Sequence, residues 1–380
     1  MIFVNHETRL RIFALLVTFV TFLMPSPLKA QTNQSNAELW LSKADVAPPF
    51  SIPASRGAWE KKRKVVRAEL WKLLGKLPPR PTIPKVTTLS QEDRGDYRLE
   101  KFQFDNGAGA TVPGYILLPK SATTATLAAQ KTKSPAILYC HWHGGEYEIG
   151  KEALFQAKHS PVEPGPEFAR HGFVVLGIDA YCFGERNGRG PDGPAELGKE
   201  GEWTAAKFNL WVGRTLWGMI LRDDLMALDY LASRPEVDPK RIGVTGMSMG
   251  ATRTWWLMGL DERLKAGVAI ACMTRYQNLI QHEMLKAHGI YYFVPGFLNH
   301  FDSEAVISLI APRAILFQTG DQDGGSPVDG IHALEDAVRP AFEVYGKPAQ
   351  FQSLVYPGLG HVYTPEMWTH TMKWFEEHLE

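Results

Sequence analysis

The chain has 380 residues, 44% of them apolar and 22% charged, enough to bury a substantial core in one large or two modest domains. Its 41 Lys and Arg balance 41 Asp and Glu, so no sign-biased field marks it for nucleic acid or an anionic membrane surface. The three cysteines, Cys140, Cys182 and Cys272, leave at least one thiol unpaired and show no Cys-x-x-Cys spacing, so they read as buried thiols and not as metal ligands.

Residues 1–30 have the order of a secretory leader. Arg9 and Arg11 precede an apolar run, Ile12 to Met24, and Pro25, Pro27 and the small Ala30 follow. The run is short for a membrane span. Cleavage after Ala30 makes the mature protein secreted or periplasmic, with no stable membrane association; Leu28 stands where a small residue is preferred, which leaves an uncleaved anchor as the alternative.

Residues 31–96 read as an N-terminal helical arm and linker. Gln31 to Asn36 is polar and loose, and Trp59 to Leu74 carries Val65, Val66, Leu70, Leu73 and Leu74 at helical spacing, closed by Gly75. Leu77-Pro-Pro-Arg-Pro81 is an extended connection.

From Tyr97 the pattern changes. Leu99 to Phe104 alternates as a half-buried strand, Asp105-Asn-Gly-Ala-Gly109 turns, and Pro113 to Leu118 returns as a hairpin. A Thr/Ala/Lys-rich surface loop covers Ser121 to Ser134. Apolar runs follow at 136–140, 173–178, 241–245, 266–271, 314–319 and 351–356, alternating with helical patterns at 167–171, 217–233, 249–260, 330–345 and 365–379. That alternation implies an α/β fold: a mostly parallel, doubly wound sheet with helices on both faces and an antiparallel hairpin at its start. Two stretches interrupt it. Residues 273–312 are too long for a simple crossover and rich in aromatics (Tyr276, Tyr291, Tyr292, Phe293, Phe297, Phe301), as a cap would be; the 180–213 loop carries Arg186, Arg189, Trp203 and Trp211. Such aromatics stack on sugar rings, line an acyl pocket or simply pack the cap.

Ligands of open α/β sheets bind beyond the carboxyl ends of the strands. There stand His141-Trp-His-Gly-Gly145, Gly246-Met-Ser-Met-Gly250, Gly320-Asp-Gln-Asp323 and Pro357-Gly-Leu-Gly-His361. G-x-S-x-G between a strand and a helix is a sharp turn that lifts the Ser hydroxyl clear of the sheet, with glycines where a side chain would strike neighbouring backbone. Ser needs a base within hydrogen-bond reach, and the base needs an acid to fix its tautomer. Ser248, then Asp321 or Asp323, then His361 supply these in one chain order. His332 and His370 fall in helical patterns and His300 in the inserted segment, whereas His361 alone follows a strand through a glycine-rich turn. His141 and His143 share one face of an extended segment, the spacing of a metal pair, but no third ligand accompanies them.

The elbow, the Gly-x-x-Asp turn and the final Gly-His resemble the α/β-hydrolase superfamily over residues 97–380. Gly114-Tyr-Ile-Leu-Leu-Pro119, Asp223-Asp224 with Arg234-Pro-Glu-Val-Asp238, and Ala311-Pro-Arg313 are similar to the branch of acetyl xylan esterases, dienelactone hydrolases and prolyl-oligopeptidase-type catalytic domains. Ser248 stands where dienelactone hydrolases carry a Cys, and Met249 where acetyl xylan esterases carry a Gln. The resemblance implies Ser248 as nucleophile, Asp323 as acid and His361 as base, with an oxyanion hole from the Met249 N–H and the His143 N–H. It implies a serine esterase that needs no metal or cofactor and acts on small-molecule or carbohydrate esters such as acetylated xylan. A prolyl-oligopeptidase-type peptidase is the rival, though residues 31–96 are too few for a β-propeller gate. A non-catalytic binding protein is the other, and a complete triad argues against it.

Overall fold

The computed structural model describes residues 35–122 and 133–379. The expected leader lies outside these residues, as does most of the 121–134 loop. Strands β1 (Val86–Asp93), β2 (Tyr97–Asp105), β3 (Thr111–Pro119), β4 (Ser134–Cys140), β5 (Val174–Ile178), β6 (Val237–Met247), β7 (Leu264–Ile270), β8 (Ala314–Gly320) and β9 (Phe351–Tyr356) form one sheet in the order β1-β2-β3-β5-β4-β6-β7-β8-β9. Its first four strands pair antiparallel and the rest parallel. The helices are α1 (Asn36–Lys43), α2 (Arg56–Leu73), α3 (Pro164–Arg170), α4 (Gly198–Trp211), α5 (Leu216–Ser233), α6 (Met249–Leu260), α7 (Tyr276–Gln281), α8 (Phe297–His300), α9 (Ser303–Ser308), α10 (Val328–Glu343) and α11 (Pro365–Leu379).

The apolar runs become strands because helices cover them on both sides. Every residue of β5 and β8 is buried. One face packs against α2, α5, α6 and α10 around Trp59, Leu70, Trp217, Leu221, Trp255 and Leu334. The other packs against α3 and α11 around Phe168, Met367, Trp368 and Phe375. Both interfaces are predominantly apolar, as a sheet covered on two faces requires, and polar side chains pair within them, as Arg253 with Asp224 and Gln318 with Thr371. Among the described residues no helix is long and apolar enough to cross a membrane.

Three elements differ from the sequence expectation. β1 lies within the arm that reads as helix and linker; its sequence, VTTLSQED, is exposed at seven of eight positions and shows no alternation. It is an edge strand, paired with β2 from Val86↔Phe104 to Asp93↔Arg98, and its polar side chains discourage pairing with another chain. α1 begins at Asn36, the last residue of the stretch read as polar and loose, and runs through residues to which the sequence assigned no element, and α4 occupies 198–211 of the loop expected at 180–213.

Helix α2 appears as expected. Ser55 caps it, its hydroxyl accepting the Ala58 N–H at 3.3 Å. Gly75 ends it at φ +93°, where a Cβ would lie 2.4 Å from the Arg214 Cα. Trp59, Val66, Leu70 and Leu74 enter the main core, so the arm packs as part of the compact unit Asn36–Glu380. Trp59→Ala is expected to cost about 3–5 kcal/mol, the usual loss for deleting a buried Trp. A lower urea midpoint at unchanged slope, equivalent to that loss of unfolding free energy within a single transition, is the expected result; an unchanged midpoint would detach α2 from the core.

Candidate functional site

The serine of G-x-S-x-G sits between β6 and α6 with φ 60° and ψ −120°, outside the regions that a side chain favours. The turn is forced by proximity. Cys140 and Gly246 are register partners across β4 and β6. A Cβ on Gly246 would lie 2.2 Å from the Cys140 carbonyl oxygen, and one on Gly250 2.0 Å from the same atom. The Ser248 N–H donates to the Ile270 carbonyl at 2.9 Å, and the Ser248 carbonyl accepts the Thr252 N–H at 3.1 Å to start α6. Met249 is the first residue of that helix, so its N–H has no intrahelical partner.

β5 and β6 leave β4 on opposite sides, which opens the crevice at their carboxyl ends. A cavity of about 1160 Å³ lies there, lined among others by His143, Ser248, Cys272, Asp323 and His361. Asp323 is buried at 4% exposure. Its Oδ2 accepts from His361 Nδ1 at 2.8 Å and its Oδ1 accepts the Gly325 N–H at 2.9 Å. With Nδ1 carrying the proton, the Nε2 of the neutral ring is left as the acceptor. Asp321 has a different task. It is exposed, and its Oδ1 accepts the Gly358 N–H at 2.7 Å, shaping the turn that leads to His361.

Two histidines follow β4. His141 is buried, with Nδ1 donating to the Trp142 carbonyl at 2.8 Å and Nε2 accepting the Ala180 N–H at 3.1 Å. Burial, and then the Arg253 charge, hold it well below the usual imidazole pKa, so it is a neutral staple between the loops after β4 and β5. His143 reaches the cavity. Its Nδ1 accepts the Gly145 N–H at 3.0 Å and its Nε2 donates to Glu202 Oε2 at 2.9 Å. Both nitrogens of both rings are thus engaged, and the pair spaced like metal ligands has nothing left to offer an ion.

Buried ion pairs brace these loops. Arg253 of α6 forks onto Asp224 of α5, with Nε 2.9 Å from Oδ2, and its Nη1 reaches the His141 carbonyl at 3.5 Å. Lys151 binds the Asp179 carboxylate at 3.0 Å and Glu185 at 2.7 Å. A Cβ on Gly150 or Gly184 would strike that carboxylate, at 2.2 and 2.3 Å. Cys272 borders the cavity beside Ser248. Burial and the Asp323 charge push its thiol up to about 12 against the pull of the Ser248 and Thr252 hydroxyls, which keeps it protonated at neutral pH.

The walls come from the two interruptions in the alternating pattern. α4 turns Lys199, Glu202, Trp203, Ala206, Lys207 and Leu210 toward the cavity, a helical stripe. Of the segment 273–312, only residues 284–293 reach it, while α9 is buried in the core beside α6 and α10. Tyr291, Tyr292 and Phe297 are buried and pack the cap to the body; Phe293 and Trp203 remain exposed. Arg186 pairs with Asp223 at 3.0 Å, deep in the protein. Two residues of this site carry no motif in the sequence. Glu202 lies in a stretch that reads as loop, where helical spacing of 199, 202, 203, 206, 207 and 210 was the available signal. His288 stacks on Tyr292 at 4.7 Å, and its Nε2 faces the Gly325 carbonyl at 3.4 Å, behind Asp323; burial lowers its pKa. His300, His332 and His370 lie elsewhere, contacting Glu69, Glu335 and Tyr356.

A sequence model of the Abhydrolase family matches residues 41–367. A Bacillus subtilis (strain 168) protein named "Putative hydrolase YtaP" is 35% identical over 300 residues, 78% of this chain and 93% of that one. Among solved structures, a glucuronoyl esterase from Solibacter usitatus superposes with a TM-score of 0.64 at 16% identity, over 87% of this chain and 97% of that one. Acetyl xylan esterase 1 from Thermoanaerobacterium sp. JW/SL YS485 superposes with a TM-score of 0.53 at 16% identity, over 89% and 98%. Both share the α/β-hydrolase fold of this chain.

The buried pair under the site predicts a thermodynamic cycle. Arg253→Met alone leaves the Asp224 carboxylate buried and unpaired, a loss of about 3–5 kcal/mol in guanidinium denaturation. Adding Asp224→Leu is expected to recover most of it. A double variant as unstable as the single one would show that packing, not charge, sets the cost.

Proposed function

The chain belongs to the Abhydrolase family, and we propose that it is an exported serine carboxylic-ester hydrolase that deacylates a carbohydrate ester through an acyl-enzyme. Ser248 is the nucleophile, His361 the base and Asp323 the acid. What carries the reading is the 2.8 Å hydrogen bond between Asp323 and His361, in the wall of the cavity onto which Ser248 faces.

The Ser248 Oγ attacks the ester carbonyl as its proton passes to His361 Nε2. Asp323 holds the ring through Nδ1 and stabilises the imidazolium. Negative charge then sits on the former carbonyl oxygen. The N–H of Met249 receives it at the helix end, and the N–H of His143 receives it from the loop after β4. Collapse breaks the C–O bond, and His361 returns its proton to the leaving alcohol. Water enters, gives its proton to His361, attacks the acyl-Ser248 carbonyl, and the acid departs with Ser248 reprotonated. No metal or cofactor takes part in this sequence.

Support for a sugar alcohol comes from the half-exposed Trp203 in the cavity wall, from the branch resemblance, and from the esterases that share the fold. Export rests on the leader sequence.

Ser248→Ala is expected to lower kcat by on the order of 10⁴–10⁶ with the fold intact. Asp323→Asn is expected to cost on the order of 10⁴ through the wrong His361 tautomer, and Asp321→Asn far less. Retention of a tenth of the activity by Ser248→Ala would sink the triad; a larger loss from Asp321→Asn would move the acid. Covalent labelling by a fluorophosphonate separates this reading from a binding protein, and a peptide amide substrate separates it from a peptidase.

Chain length tests the acyl side. An open groove gains roughly 0.8 kcal/mol for each methylene it buries, so rates there climb from acetate to octanoate. A walled cavity reverses the trend. kcat/KM for 4-nitrophenyl esters is expected to be highest for acetate, with acetate released from acetylated xylan. A maximum at octanoate would overturn the carbohydrate-ester reading.

A further inference from the structure

We propose that Glu202, on the inserted helix α4, is a positioning residue for the reaction: its carboxylate fixes the ring of His143 and, through it, the backbone N–H that receives the oxyanion. The inference rests on the oxyanion role proposed for the loop after β4.

The loop cannot hold that N–H by itself. His143 to Glu146 is a tight turn, closed by the Glu146 N–H donating to the His143 carbonyl at 2.9 Å. Its two central residues, Gly144 and Gly145, sit at φ 54° and 73°. Two left-handed glycines in succession allow the turn and also loosen it, since glycine has the most backbone freedom to lose. An oxyanion donor has the opposite requirement: it works only if already oriented when charge develops.

The His143 side chain supplies the missing restraint. The Gly145 N–H donates to its Nδ1, so the ring proton is on Nε2 and points to Glu202. Tyr291 stacks on the ring with centroids 5.1 Å apart, and Tyr147 and Phe183 meet it edge-on, each at 5.0 Å. Glu202 closes the arrangement from outside the loop. It is 1% exposed, and its Oε2 accepts from His143 and from the Tyr147 hydroxyl at 3.3 Å. The backbone at Gly289 also passes close to the carboxylate, since a Cβ there would lie 2.9 Å from Oε1.

A purely structural group would not be chosen this way. Burying a carboxylate is costly unless cations pair with it, and among the described residues no Lys or Arg forms an ion pair with Glu202. What the carboxylate achieves here is acceptance of one N–H from one ring in one orientation.

The test is kcat per competent active site. Wild type, Glu202→Gln, Glu202→Ala and Glu202→Met are titrated with a fluorophosphonate to full labelling, and kcat and KM for 4-nitrophenyl acetate are divided by that count. Titration removes any unfolded fraction, so a merely structural loss leaves the quotient unchanged. Glu202→Ala is expected to lower kcat per site by about 10- to 100-fold, less than the roughly 10²–10³ for deleting an oxyanion donor outright, with KM within about twofold. Glu202→Met fills the space without accepting a hydrogen bond and keeps the test in force if the Ala variant fails to fold; the same loss is expected. Glu202→Gln, whose amide oxygen in the place of Oε2 can accept from both His143 and the Tyr147 hydroxyl, is expected to stay within about threefold of wild type. Wild-type kcat per site in Ala or Met overturns the proposal, as does a Gln variant as impaired as they are. A wild-type protein that neither labels nor hydrolyses esters overturns the reading of the whole site, a result visible before any Glu202 variant is made.

Discussion

The carbonyl oxygen of Cys140 occupies the space that two side chains would need if Gly246 and Gly250 were any other residue, since a Cβ there would come within 2.2 and 2.0 Å of it. β4 and β6 are neighbours in the sheet with Cys140 opposite Gly246, so the approach follows from strand pairing. It has two effects at once. The chain must turn into α6 without clearance, which holds Ser248 at φ 60°, a strain of about 1–3 kcal/mol for a residue with a Cβ. The loop after β4 is also kept against the start of α6, as the oxyanion role proposed for one N–H from each requires. The strain persists because the sheet and α6 are fixed on either side, by the Ser248 N–H to Ile270 and the first turn of the helix.

Charge buried beneath the site completes this restraint. α5 carries Asp223 and Asp224 side by side, and each takes an arginine from a different part of the chain: Arg186 from the loop after β5, Arg253 from α6. Asp179, at the end of β5, takes Lys151 from the loop after β4. Such pairs are poor sources of net stability compared with apolar packing of the same volume. Their value lies in direction. An apolar contact tolerates a small slide, whereas a forked Arg–carboxylate contact does not. Of these pairs only Arg253–Asp224, between two helices, is forked; the irregular segments between β4 and α4, with their many left-handed glycines, are tied to the rest of the fold by the Arg186–Asp223 and Lys151–Asp179 contacts.

The sheet was legible in the sequence because its buried strands are continuous apolar runs and its helices follow the 3.6-residue period. β1 was not, because an exposed edge strand has neither signal; only its pairing with β2 makes it a strand. Ser248, Asp323 and His361 stood out because each follows a strand through a glycine turn, a local pattern that the sheet turns into spatial neighbourhood. Spacing alone left Asp321 and Asp323 open, and hydrogen bonding separates their tasks: one holds the His361 ring, the other the Gly358 turn. Glu202 and His288 were invisible for the converse reason. Each acts through contacts distant in sequence, Glu202 with His143 and His288 with Gly325, and neither sits in a motif. The cap aromatics were read as either sugar platforms or packing; burial decides for packing in Tyr292 and Phe297, while Tyr291 packs on the His143 ring at the cavity wall.

The edge of the sheet and the inserted segments divide the work of such a site. A fold common to many chemistries supplies the strand ends, and with them a general means of attacking a carbonyl. What is inserted between strands, here α4 and residues 284–293, supplies much of the cavity lining, and the two segments meet at Glu202 and Gly289. The two walls do not stand apart from the chemistry. Tyr291 of one inserted segment and Glu202 of the other both touch the ring of His143, so both segments are coupled mechanically to the proposed oxyanion loop. Contacts to a remote part of a substrate accelerate a reaction only when they are used at the reacting centre. A sugar that presses on Trp203 presses on α4, and α4 carries Glu202 one position earlier. Under the proposed assignment, substrate binding and orientation of the oxyanion donor are therefore linked through a single buried side chain, a link that the strand ends alone do not provide.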